Sequence, residues 1–238
     1  MKIYDECFLG IDKILEEYDP QKLDIDRKEK WKDMGKNQII FQNDMAYELG
    51  KGTLPGVSSI AITDSAKFVP EDEVLLIGND LPDINGDMPF ARIALIRVNE
   101  EEMGSGDDLY KAIRKIEFAR YHIQPEGYMM RISAFTHREG VRISKKSLSK
   151  GLDFAKVGRL FIDEYKKCTQ VKAVKILFVT DPTFPYEKLQ SIMEKSEQIT
   201  AALDHIMKDI KMDCDSCNLK TVCEEVEALR KKDFKKDK

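Results

Sequence analysis

The chain has 238 residues, 42% hydrophobic and 34% charged, with a formal net charge of -4. That is enough chain to bury a sizeable core without help from a metal, and the interspersed charges are those of an ordinary soluble protein. The acidic balance argues against nucleic acid as a partner, because phosphate backbones are gripped by clustered Lys and Arg.

The opening stretch "MKIYDECFLGIDKILEEYD" carries acidic residues and no apolar run of signal length. Its apolar positions Ile3, Cys7, Ile11, Ile14, Leu15 and Tyr18 share one helical face, and Asp19-Pro20 ends the run. The charged segment Gln21 to Gly35 holds the only tryptophan, Trp31, and reads as a surface connector that packs at one point. Residues 1–35 therefore form an opening helix and connector.

Between Gln38 and Val98 the pattern turns to short β-rich runs: "IIF", "VSSIAIT", "EVLLIG" and "FARIALIRV", separated by Gly, Pro, Asn and Asp turns. These predict four strands. A helix follows from about Asp107 to Tyr121, with Leu109, Ile113, Ile116 and Phe118 inward and Asp107 and Asp108 as caps. "GYMMRISAF" and "GVRIS" predict two strands around a polar turn, Thr136 to Gly140. Ser149 to Cys168 reads as an amphipathic helix with Phe154, Val157, Phe161, Tyr165 and Cys168 inward. "VKAVKILFVT" is apolar on both faces, which predicts a central strand.

Residues 36–182 are thus expected to form an α+β domain, a mixed sheet with packed helices. Residues 183–238 add a long helix, from about Tyr186 to Lys211, and a short Cys-rich helical tail. The spacing of the long helix predicts that it lies across the domain or pairs with another helix. The basic cluster Arg230, Lys231, Lys232, Lys235, Lys236 and Lys238 reads as a solvated terminus. The longest apolar runs, such as "ILFV", are too short to span a bilayer, so no membrane association is expected.

The expected setting is cytoplasmic, where thiols stay reduced. There, close cysteines are more plausibly metal-binding or redox-active than disulfide-bonded. "MDCDSCNLKTVCEEVEALRKK" places Cys214, Cys217 and Cys223 in a C-x2-C-x5-C pattern. A CxxC turn lets two thiolates reach one metal, and a third at a helix start adds another side of a tetrahedral or cubane site. The alternative is two exposed thiols and one small buried hydrophobe. Cys7 is the candidate fourth ligand, although its spacing with Ile3, Ile11 and Ile14 also suits a core cysteine. Cys168 ends an inward helix face and reads as core.

The three histidines, His122, His137 and His205, show no i, i+4 pairing for zinc, and His205 reads as solvated. No nucleotide-binding glycine motif and no nucleophile elbow occur. Arg131, Arg138, Arg142, Lys145 and Lys146 cluster around the strand pair. They could meet a phosphate or an acidic partner, or simply line a wet strand face.

"VRISKKSLSKGLDFAKVGRLFIDEYKK" followed by "VKAVKILFVTD" resembles a segment of the beta subunit of the carbon monoxide dehydrogenase/acetyl-CoA synthase complex. The resemblance begins at "EVLLIGNDLPDI", is closest from Val141 to Asp181, and runs to the CxxC. It implies the family's middle-region fold, with Cys214 and Cys217 as the first two ligands of a [4Fe-4S] cluster and Cys223 as the third. It also implies work in one-carbon, corrinoid-linked, anaerobic metabolism, with a corrinoid protein or complex subunit as partner. The pattern departs from the family at Cys223, a candidate for that third ligand that comes after five residues instead of a longer gap; no fourth cysteine and no Cys-Gly-Cys follow, so nickel is not expected. Tyr128 alone stands near the family's tryptophan in the stretch implicated in coenzyme A binding.

Overall fold

The computed structural model describes residues 2–25, 29–132, 139–207, 217 and 219–232. Its main sheet has five strands. A short edge strand β1 (Gln21–Leu23) runs antiparallel to β4 (Glu73–Ile77). Next comes β8 (Val171–Val179), parallel to β4, then β5 (Phe90–Val98), antiparallel to β8. The far edge is β3 (Gly56–Thr63), parallel to β5. A second, antiparallel sheet has the order β2 (Met45–Leu49), β7 (Glu139–Ser144), β6 (Tyr128–Ile132). The chain is therefore an α+β fold with two sheets and packed helices.

The strand read as apolar on both faces, β8, does lie at the centre, with all its residues buried except Lys172. Helix α4 (Phe154–Tyr165) packs on β4 and β8. Phe154 stacks on Phe178 with ring centroids 4.4 Å apart, and a Cβ at Gly158 would come within 2.4 Å of Val74, so glycine permits this approach. The five inward residues from Phe154 to Cys168 are all buried as expected. The expected helix from Ser149 is divided, however. A short α3 (Lys145–Ser149) stops at Gly151, which has φ +88°, and Asp153 then caps α4 by accepting from the Lys156 amide at 2.8 Å.

Helix α1 (Asp5–Tyr18) buries Cys7, Phe8, Ile11 and Ile14, and Asp19 ends it in a left-handed conformation. Helix α5 (Tyr186–Met207) lies along β3 and pairs with α1 and with α6 (Lys220–Lys232), which bears out its reading as a pairing helix. Part of the expected surface connector, Gln21–Leu23, is the edge strand β1, and Trp31 packs further along the same segment. Its indole donates to the Glu126 carbonyl at 2.9 Å, with the Lys156 ammonium 5.4 Å from the ring centroid.

Three further expectations are corrected. "IIF" is not a strand: Ile39 and Phe41 are exposed and only Ile40 is buried, and the strand is the following β2. Helix α2 (Asp107–Ala119) has Gly106 at its N-cap with no side-chain cap bond, so Asp107 and Asp108 are first-turn acids. Phe118 faces out, and the inward place expected for it falls to Glu117.

Candidate metal centre and the buried ion pairs

The cysteines divide into two kinds. Cys217 and Cys223 are half-buried, Cys223 in the first turn of α6 and Cys217 just ahead of it. The Cys217 carbonyl accepts from the Lys220 amide at 3.2 Å, and the Cys223 amide donates to the Leu219 carbonyl at 2.8 Å, so α6 is wound directly onto this pair. Cys214 lies outside the described residues. Helix α6 is seated by the buried Val222 and Val226, by the Tyr110 hydroxyl donating to the Val226 carbonyl at 2.7 Å, and by a Lys195–Glu225 ion pair at 2.6 Å.

Cys7 is enclosed on the inward face of α1, where burial pushes its thiol up to about 11. Cys168 is also buried, and burial raises it too. Both are thiols at neutral pH, whereas a metal ligand is a thiolate. Among the described residues, no three His, Cys, Asp or Glu side chains converge as a metal site, so Cys7 does not form one with Cys217 and Cys223. His122 is exposed and His205 half-buried, while His137 and Arg138 lie outside the described residues.

The basic cluster has an internal explanation. Glu48, with a side chain 2% exposed, receives Arg131 at 2.9 Å and both Nε and Nη2 of Arg142, at 2.9 and 2.6 Å. Lys51 approaches it at 3.4 Å. Burial pushes the Glu48 carboxyl up, but the hydrogen bonds and charges of Arg142 and Arg131 outweigh this and hold it below its ordinary range. Arg131 and Arg142 therefore clamp β2 to the β6–β7 pair, Arg131 from the surface, and among the described residues of the group Lys145 and Lys146 also stand exposed.

Sequence reasoning missed a second ion pair. Arg92 on β5 meets Glu139 on β7 at 2.5 Å, with side chains 2% and 6% exposed. Its guanidinium also donates to Ser58 Oγ at 3.0 Å and lies 4.2 Å from the Phe161 ring centroid. Arg92, set between apolar residues near the start of "FARIALIRV", was the available signal, since a cation survives burial only with a partner. Glu139 also lines a cleft of about 570 Å³ between β3, α2 and α5, which sequence reasoning did not anticipate.

No protein-family model matches the chain, and no curated protein matches it either. No helix among the described residues is long and apolar enough to cross a membrane.

Proposed function

We propose that this is an accessory protein akin to the acetyl-CoA synthase beta subunit, in which Cys214, Cys217 and Cys223 hold an iron-sulfur cluster. The observation that supports it is the contrast among the cysteines: Cys217 and Cys223 are half-buried, one just ahead of α6 and one in its first turn, while Cys7 and Cys168 are enclosed. Soft thiolate donors at a helix start suit such a cluster, because the positive end of the helix dipole favours a negatively charged group. When bound, the cluster supplies one-electron transfer.

The chain's own part is to hold Cys217 and Cys223 on α6, and α6 on the domain through Val222, Val226 and Tyr110. In this reading the protein is cytoplasmic and serves one-carbon metabolism beside a corrinoid protein or a complex subunit. Nickel is not part of it. A fourth ligand comes from the partner or from solvent; for Cys7 to serve, α1 would have to open.

Anaerobic purification followed by iron, sulfide and zinc analysis tests the proposal. About four irons per chain are expected, with Cys214→Ser, Cys217→Ser and Cys223→Ser each lowering the iron content and Cys7→Ser leaving it unchanged. One zinc per chain, or no metal, would sink the proposal and leave a docking or assembly module.

A further inference from the structure

The cleft between β3, α2 and α5 belongs to neither the cysteine segment nor the Glu48 clamp. One wall is Gly56 to Ile60 of the edge strand β3, and its volume of about 570 Å³ is in the range of small-molecule sites. Its charges are unevenly placed. At one end Arg120 and the ion-paired Arg92 face a single carboxylate, Glu139, an excess of one positive charge. Between α2 and α5 Arg114 is shared between two carboxylates, Glu117 at 2.6 Å and Asp204 at 2.7 Å, and Glu197 also lines the cleft, so this side carries an excess of negative charge.

Two further features point to an occupant. The Nε of Arg120 is buried without a hydrogen-bond partner among the described residues, although its Nη2 donates to the Tyr121 hydroxyl at 2.8 Å. A buried guanidinium donor left unpaired is costly, and Arg120 lines the cleft, so a small shift of this side chain that brings Nε to an acceptor in the cleft would remove that cost. At the rim, Phe118 and Tyr121 are exposed aromatic rings with centroids 5.8 Å apart. Arg114 and Arg120 lie over them at 4.6 and 4.8 Å. Exposed aromatics backed by cations offer a flat apolar surface.

We infer that this cleft binds a small zwitterion with a planar apolar body, of the chemical class of an aromatic amino acid. Its carboxylate meets Arg120, because a guanidinium edge takes a carboxylate in a bidentate pair. Its ammonium lies towards Glu117 and Asp204, and its ring rests on Phe118 and Tyr121. Opposite charges at the two ends select against a simple anion or a simple cation, each of which meets repulsion at one end.

Calorimetric titration of the full chain at neutral pH with L-phenylalanine, 3-phenylpropionate and phenethylamine tests this. Saturable binding of L-phenylalanine is expected, with each analogue weaker by about tenfold or more, since each leaves one charged end unmet. Arg120→Gln should weaken L-phenylalanine by about tenfold or more. Phe118→Ala changes an exposed side chain, so it should weaken binding several-fold while leaving the unfolding midpoint unchanged, and it carries the test if the Arg120 variant does not fold. Absence of saturable binding, equal binding of either analogue, or full affinity in folded Phe118→Ala or Arg120→Gln protein would overturn the inference.

Discussion

Helices α1 and α6 come from opposite ends of the chain and pack on the same helix, α5, but they are held by different means. Helix α1 buries four side chains, among them the whole of Ile11 and Ile14, whereas α6 among its described side chains buries only Val222 and Val226. What α6 has besides is polar: the Tyr110 hydroxyl on a main-chain carbonyl and an exposed lysine-glutamate pair. Apolar burial contributes in proportion to area, while a net hydrogen bond contributes about 1 kcal/mol and an exposed ion pair less. The region carrying the half-buried cysteines is therefore attached through a shallow contact, and the region carrying Cys7 is part of the core.

The largest expected effect lies on the α1 side. Ile11→Ala removes a fully buried side chain and should lower global stability by about 2–5 kcal/mol in urea unfolding. A smaller effect should appear at alkaline pH. Burial raises the Cys7 thiol from 9.0 to about 11, so between those values the folded state keeps a proton that the unfolded chain has lost. Stability should therefore fall as pH rises from about 9 to about 11. The fall should be about 1–2 kcal/mol, less than the full shift implies because water relaxes around a forming thiolate, and Cys7→Ala should flatten it. Tyr165, pushed up to about 12 by burial, extends the loss in the same direction at higher pH.

The smallest effect should be confined to α6. Tyr110→Phe deletes the hydroxyl that reaches Val226 and should cost about 1 kcal/mol. Amide exchange should quicken from Lys220 to Lys232 while β5 and β8 keep their protection. Equal quickening throughout the chain would show that α6 unfolds only with the whole domain, and that the contrast between the two helices is not energetic.

Much of the fold was legible because burial leaves a periodic mark. Alternation in "VKAVKILFV" with apolar residues on both faces announced the central strand, and the spacing from Phe154 to Cys168 announced the buried face of α4. Reading failed where a run was too short to show a period. "IIF" has one buried residue between two exposed ones, and β1 has three residues, so neither has enough positions to distinguish strand from loop. At Phe118 and Glu117 hydrophobicity pointed the wrong way by one residue, because Arg114 and Thr200 supply the partners that let a carboxylate occupy the inward position. Of the candidate metal site, residue type and spacing were readable; that Cys7 is enclosed on the inward face of α1 was not decided, since a core cysteine and a ligand leave the same letter in a helical stripe.

By itself the amino-acid order determined the α+β class, the central strand, the inward faces of α1 and α4, and the grouping of three cysteines within ten residues, all of which depend on neighbours in the chain. Only the tertiary structure decided which charges meet. Glu48 finds Arg142 across 94 positions, and Arg92 on β5 meets Glu139 on β7 where the two sheets approach. The cleft between β3, α2 and α5 likewise exists only once three distant segments are packed together. Local pattern records what each residue needs from solvent, burial or exposure; which partner satisfies a buried charge depends on long-range register, and no local pattern records that.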